Sequence, residues 1–302
     1  MDATGRYAPS PTGPLHLGNL RTALLAWLFA RSRGARFLVR VEDLDHARVR
    51  PGIESRQLAD LAALGLDWDE APVRQSERTE LYAAAIAHLD EAGLLYPCFC
   101  TRAEIREAVG APHGPLLERA YPGTCRELTA ARRARHERDG RPPALRVRSD
   151  YEALGFVDAL HGEQAGVVDD VVVRRNDGAP AYNLAVVVDD AAQGVGEVVR
   201  GDDLLDTTPR QLLLARLLAL PVPRFAHVPL VLGPDGARLA KRHGAVTLAD
   251  RVAAGDSPAD VRAWCARSAG LAGAGDDVSP DALVRGFDAS RLSRAPTVWT
   301  GG

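Results

Sequence analysis

The first 75 residues alternate between extended and helical segments, and this alternation restricts the fold more than any other feature of the chain. RYAP is a short β-like run. After a loop rich in proline and glycine, LGNLRTALLAWLFARSRG places Leu20, Leu24, Trp27, Leu28 and Arg31 at helical spacing, with Gly34 as its stop. RFLVRVED reads as a second strand. Further helices are predicted from Pro51 to Gly65 and over ERTELYAAAIAHLDEAG. Strands separated by helices of this length imply βαβ units and a parallel sheet. Clustered cysteine, proline and glycine, followed by an arginine-rich run, break the rhythm between 95 and 150. Strands are expected to return in ALRVR, VVVRR, AYNLAVVVDD and EVVRGDD, ahead of a helix over TPRQLLLARLLAL. FAHVPLVLG then reads as a strand leading into the loop PDGARLAKRHGA. The expected organisation is an α/β, Rossmann-like, doubly wound parallel sheet in two halves (1–94 and 151–245), an inserted subdomain (95–150), and a helical C-terminal region (246–302).

Composition narrows the function classes. With 46% hydrophobic and 25% charged residues, the chain has the make-up of an ordinary globular protein. No signal-like or membrane-spanning apolar run is visible, so a cytoplasmic location is expected. A net charge of −3 gives no global attraction to nucleic acid, and any polyanion must be held by a local patch. Residues 126–148 offer one candidate patch, with eight arginines against three acids counted along the sequence. Cys98, Cys100 and Cys125 look more like a metal cluster than a disulfide framework in a reducing compartment. They need a fourth ligand, for which His113 is the default on chemical grounds. Cys265 sits on an amphipathic segment and reads as core. One basic residue stands apart: among 37 lysines and arginines, Lys241 alone is lysine.

The loop APSPTGPLHLGNLRTA lies between a strand and a helix N-terminus, where free N–H groups and the helix dipole favour a phosphate. HLGN resembles the HIGH motif of class I aminoacyl-tRNA synthetases, and RLAKR resembles their KMSKS motif. RYAPSPTGPLHLGNLRTALLAWLFAR, FLVRVEDLD, AYNLAVVVDD, EVVRGDDLL and LAKRHGA together, in unbroken order from residue 5 to about 255, resemble the glutamyl branch of that class. Two positions depart from the motifs: Asn19 replaces the second histidine of HIGH and Ala240 replaces the KMSKS serine.

The resemblance implies that ATP with Mg2+ is bound by His16, Gly18, Asn19 and Lys241, of which His16, Asn19 and Lys241 serve catalysis. It implies an L-glutamate pocket from Arg6, Ala8, Ser10, Glu42, Tyr182 and Arg200. The spacing C-x-C followed by YPGTC resembles the glutamyl-queuosine tRNA(Asp) synthetases, which implies one structural Zn2+ on Cys98, Cys100, Tyr121 and Cys125. That subfamily implies activation of glutamate without tRNA and transfer to queuosine in the anticodon loop of tRNA(Asp), by a monomer lacking a separate anticodon-binding region. The alternative is a minimal glutamyl-tRNA synthetase charging the tRNA 3′ end. The expected chemistry asks for no side-chain base, because the attacking carboxylate is already ionised. It asks for positioning of two anions and stabilisation of phosphate charge. A compact ammonium on a flexible stem can follow a moving phosphate where a planar guanidinium cannot, which accounts for a single retained lysine.

Overall fold

A computed structural model describes residues 4–101, 103–105 and 121–301, with Lys241 described by its backbone alone. Strand β1 (Gly5–Tyr7) leads through the first loop into helix α1 (Leu17–Arg31), and β2 (Phe37–Val41) returns parallel to β1. Helix α1 is apolar on nearly every face and is buried on nearly every face, as such a helix must be. Gly34, expected as its stop, has φ +64°, a conformation that disfavours side chains with a Cβ. Helix α2 (Ile53–Ala63) precedes β3 (Val73–Arg74), and α3 (Thr79–Glu91) precedes β4 (Leu95–Cys98).

Beyond the cysteine-rich segment come α4 (Ala130–Arg138), β5 (Ala144–Val147), β6 (Ala153–Asp158), β7 (Gly162–Val167) and β8 (Val172–Arg174). Then follow α5 (Tyr182–Ala192), β9 (Glu197–Gly201), α6 (Thr208–Leu217), β10 (Arg224–Val228) and β11 (Val231–Leu232). The C-terminal region holds α7 (Leu248–Ala253), α8 (Pro258–Ser268), α9 (Pro280–Gly286) and β12 (Thr297–Val298). The main sheet has the order β3-β2-β1-β9-β10-β6-β7 and is parallel except for the β6–β7 hairpin at its edge. Strands β4, β5 and β8 form a separate antiparallel sheet. The α/β reading with a mostly parallel sheet therefore holds.

Three local expectations need correction. AYNLAVVVDD is not a strand but helix α5. Its β-branched run suggested extended backbone, yet Leu184, Ala185, Val188 and Asp189 are buried at i, i+1, i+4 and i+5, which is one face of a helix. FAHVPLVLG is not one strand: Pro229 cannot donate to a ladder, so β10 stays in the main sheet while β11 pairs with β12. The hairpin β6–β7 occupies residues to which the sequence reading assigns no strand, because ALGFVD and GEQAGV carry little apolar alternation.

The end of α5 ties the two halves of the sheet together. Asp190 accepts hydrogen bonds from Arg6 on β1 (3.2 and 3.3 Å) and from Arg40 on β2 (2.7 Å). Asp189 accepts from Gln75 (2.8 Å), Arg78 (2.7 Å) and the Tyr82 hydroxyl (2.8 Å). Burial alone would raise the Asp190 carboxyl, but Arg6 and Arg40 outweigh it and hold the group below the usual aspartate range. A depressed native value means that its stabilisation is present above the ordinary aspartate pKa and is lost as pH falls through the native one. Asp190→Asn leaves two buried guanidinium groups without their shared anion and should cost about 3–5 kcal/mol. Urea denaturation at pH 7 checks this, and a loss below 1 kcal/mol, of the order of a single neutral hydrogen bond, would contradict it.

Candidate active site and metal centre

A cavity of about 620 Å³ opens at the carboxyl ends of the parallel strands. It lies where the sheet order reverses between β1 and β9, the position at which open α/β sheets bind ligands. Of the residues singled out in the sequence, Ala8, Ser10, His16, Gly18, Asn19, Glu42 and Tyr182 line this one cavity. Residues 8–16 leave β1, Gly18 and Asn19 open α1, Glu42 follows β2, and Tyr182 opens α5, so four elements converge on it.

His16 is the N-cap of α1, and the local geometry fixes its tautomer. Its Nδ1 accepts from the backbone N–H of Asn19 (3.2 Å), while the Asn19 side-chain oxygen accepts from the His16 backbone N–H (3.2 Å). This is a capping box built from the motif itself. Nδ1 is thereby an acceptor, and the imidazole proton lies on Nε2. The Asn19 amide N–H₂ takes no part in the cap. Burial, with Arg238 as a second cause, pushes the His16 pKa down to about 4, so the ring is a neutral donor at pH 7. Gly18 permits the arrangement, since a Cβ there would stand 3.1 Å from the His16 ring and 3.3 Å from Val231.

The two arginines expected at the pocket differ sharply. Arg6 is committed to Asp190, so its charge is already matched. Arg200, buried on β9, donates to His227 (2.9 Å), Gln211 (2.8 Å) and Thr208 (2.8 Å), and all of these acceptors are uncharged. Burial lowers the Arg200 pKa, as expected of a cation without an adjacent anion. Neither arginine is among the residues lining the cavity. Glu42 does line it, and burial raises its carboxyl despite the Arg40 and Arg6 guanidiniums nearby.

Lys241 opens a 3₁₀ turn, Lys241–His243. His243, which the sequence reading passed over, clamps this loop. Its Nδ1 accepts from the Ala240 backbone N–H (3.0 Å) and its Nε2 lies 3.1 Å from the Asp235 carboxylate. The ring lies where a Cβ on Gly233 would come within 2.5 Å of it, so a side chain there would displace the ring. The backbone N–H of Ala237 and then His243 draw the Asp235 carboxyl down to about 2. Arg238, in the same loop, also lines the cavity and pairs with Asp203 (2.6 Å). Its presence in PDGARLAKRHGA was visible in the sequence, but nothing there distinguished it from many other arginines.

The second cluster lies under the antiparallel sheet. Ligand atoms of Cys98, Cys100 and Cys125 all lie within 4.8 Å of one another. The Tyr121 hydroxyl stands 3.4 Å from the Cys98 sulfur and 3.9 Å from that of Cys100, and Cys100 and Cys125 sulfurs are 3.4 Å apart. A tetrahedral zinc with Zn–S near 2.3 Å spaces its sulfurs by roughly 3.8 Å, so this donor set fits zinc. Hydrogen bonds from Cys100 and Cys125 hold the Cys98 thiol far below the usual thiol range. The alternative ligand His113 lies outside the described residues. Cys265, expected in the core, is fully buried and is pushed up to about 12 by burial.

Comparisons with known proteins place this geometry. Residues 3–278 match the family model for tRNA synthetases class I (E and Q), catalytic domain. The chain belongs to that family and is a class I aminoacyl-tRNA synthetase-type ligase. It is 63% identical over 300 residues to a glutamyl-Q tRNA(Asp) synthetase of Nocardia farcinica, covering 99% of this chain and 94% of the relative. It is 53% identical to one of Symbiobacterium thermophilum, covering 97% and 94%. The crystal structure of a glutamate tRNA ligase from Elizabethkingia meningosepticum in complex with its amino acid superposes with a TM-score of 0.82 at 28% identity, over 99% of this chain and 67% of that one. No helix among the described residues is long and apolar enough to cross a membrane.

The cysteine cluster makes a direct prediction. Protein purified without chelator should contain one zinc per chain, measured by elemental analysis. Tyr121→Phe should weaken retention against a chelator while His113→Ala leaves it unchanged; zinc-free protein, or the reverse ranking, would contradict the Tyr121 quartet.

Proposed function

We propose that the chain activates L-glutamate with ATP in the absence of tRNA and transfers it to queuosine in the anticodon loop of tRNA(Asp). The single observation that carries this reading is the match to glutamyl-Q tRNA(Asp) synthetases along nearly their whole length, at up to 63% identity. The Tyr121–cysteine cluster supports the same subfamily.

In this reading the α-carboxylate of glutamate attacks the α-phosphorus of ATP and pyrophosphate leaves. His16, through Nε2–H, and Asn19, through its amide N–H, donate to the triphosphate at the N-terminus of α1, with Gly18 allowing close approach. Mg2+ accompanies ATP. Lys241, carried by the clamped loop, neutralises the β and γ phosphates as they depart. Glu42 faces the α-ammonium, with Ala8, Ser10 and Tyr182 shaping the pocket. Arg6 is held by Asp190, so Arg200 supplies the unmatched cation for the side-chain carboxylate. A hydroxyl of the modified base then attacks the glutamyl carbonyl, releasing AMP. Zinc in the cysteine cluster has a structural role.

A second cavity of about 730 Å³ separates the cysteine cluster from Tyr182, which lines both cavities. It gives an RNA base a route to the glutamyl group from the side of the inserted subdomain. The arginine-rich run divides in the fold. Arg126, Arg141 and Arg148 pair with Asp170, Glu104 and Glu127, whereas Arg132, Arg133, Arg135 and Arg138 are exposed along α4. Those four suit phosphate contacts.

Two outcomes are expected. Lys241→Arg should slow ATP–pyrophosphate exchange by about one to three orders of magnitude, with glutamate affinity retained. Unchanged exchange would remove the lysine from the chemistry. Radiolabelled glutamate should reach tRNA(Asp) containing queuosine, but neither queuosine-free tRNA(Asp) nor tRNA(Glu). Charging of the tRNA(Glu) 3′ end would instead establish the acceptor-charging activity.

A further inference from the structure

Arginine carries five N–H donors and no acceptor. At Arg200 three N–H groups are used: Nε–H to His227, one N–H to Gln211 and one to Thr208. Two remain, and no carboxylate among the described residues lies within ion-pair distance of this guanidinium. Since Arg200 can only donate, His227 Nε2 must accept, and the imidazole proton therefore sits on Nδ1. Asp158 takes it at 2.7 Å and also accepts from the backbone N–H of His227 (3.0 Å). Strand register makes the relay possible: β10 sets His227 opposite Arg200 on β9, and Asp158 at the end of β6 pairs with Phe225 of β10. His227 and Asp158 are both fully enclosed.

We propose that Asp158 and His227 are positioning residues for recognition of the substrate's side-chain carboxylate by Arg200. Asp158 fixes the Nδ1–H tautomer, which leaves Nε2 able only to accept. That bond, with those from Gln211 and Thr208, locks the plane of the guanidinium and aims its two remaining N–H groups. The relay transmits orientation without transmitting charge. An aspartate bonded directly to Arg200 would orient it equally well but would neutralise it, as Asp190 neutralises Arg6. A neutral imidazole placed between the carboxylate and the guanidinium keeps the cation for the ligand.

The inference rests on Arg200 as the glutamate contact, and the test separates the two ideas. L-Glutamate and ATP are titrated calorimetrically into the full chain and into Asp158→Asn, His227→Gln, Arg200→Gln and the double variant Asp158→Asn/Arg200→Gln. Asp158→Asn is nearly isosteric and keeps an oxygen for the N–H groups of Leu160 and His161 that Asp158 caps, so it preserves the fold. The relay predicts glutamate binding weakened about ten- to a hundredfold in Asp158→Asn and in His227→Gln, the range for a hydrogen bond to a charged group. ATP binding stays within twofold, and the double variant binds glutamate no more weakly than Arg200→Gln alone. Unchanged glutamate affinity in both single variants overturns the relay, as does equal weakening of ATP or an additive loss in the double variant. Unchanged affinity in Arg200→Gln would overturn the glutamate contact itself.

Discussion

The architecture depends on two adjacent buried carboxylates. Asp189 and Asp190 lie near the end of α5, where helical geometry sends neighbouring side chains in different directions. One reaches the cations of β1 and β2, and the other meets Gln75, Arg78 and Tyr82 ahead of and within α3. Removing so many charges from water is costly, and the cost is met only if every partner is in place. The cluster therefore specifies one relative placement of β1, β2, α3 and α5. Tyr182 and Glu42, on the cavity wall, are fixed as by-products of that placement.

The same charges explain why two buried arginines of the sheet differ. Arg6 is paired with an anion from α5, while Arg200, on the next strand of the sheet, meets only hydroxyl, amide and imidazole acceptors. Two identical side chains on neighbouring strands thus acquire opposite characters from the elements packed over them.

Much of this was legible in the residues, and the rest was not for identifiable reasons. Helix α1 and its glycine stop follow from spacing alone, whereas the cap formed by His16 and Asn19 does not, because histidine is not an ordinary N-cap residue. The inserted cysteines announce themselves by proximity in sequence. The run Val186, Val187 and Val188 favours extended backbone, whereas the helix α5 places Asp189 and Asp190 against partners far away in sequence. The partners of Arg200 lie on β10 and α6, the carboxylate behind His227 lies on β6, and no local pattern connects them. His243 was passed over because its role depends on a fold-back of its own loop onto Gly233.

Residues 297–299 bear on the lysine loop although they are distant from it in sequence. Strand β12 pairs with β11, the segment from which that loop departs, and the Trp299 backbone N–H donates to Leu232. Arg21, buried in α1, holds the same region by donating to the Thr297 hydroxyl, the Ser268 carbonyl and the Pro229 carbonyl. The loop thus departs from a two-strand bracket that Arg21 ties to the buried helix α1. Within the loop, Leu239 is buried in the main core and donates its backbone N–H to Val231, while His243 bonds Ala240 and Asp235, so the segment ahead of Lys241 is tied to the same bracket. Trp299 is therefore linked, through Leu232 and Val231, to the backbone that leads to the one lysine of the chain.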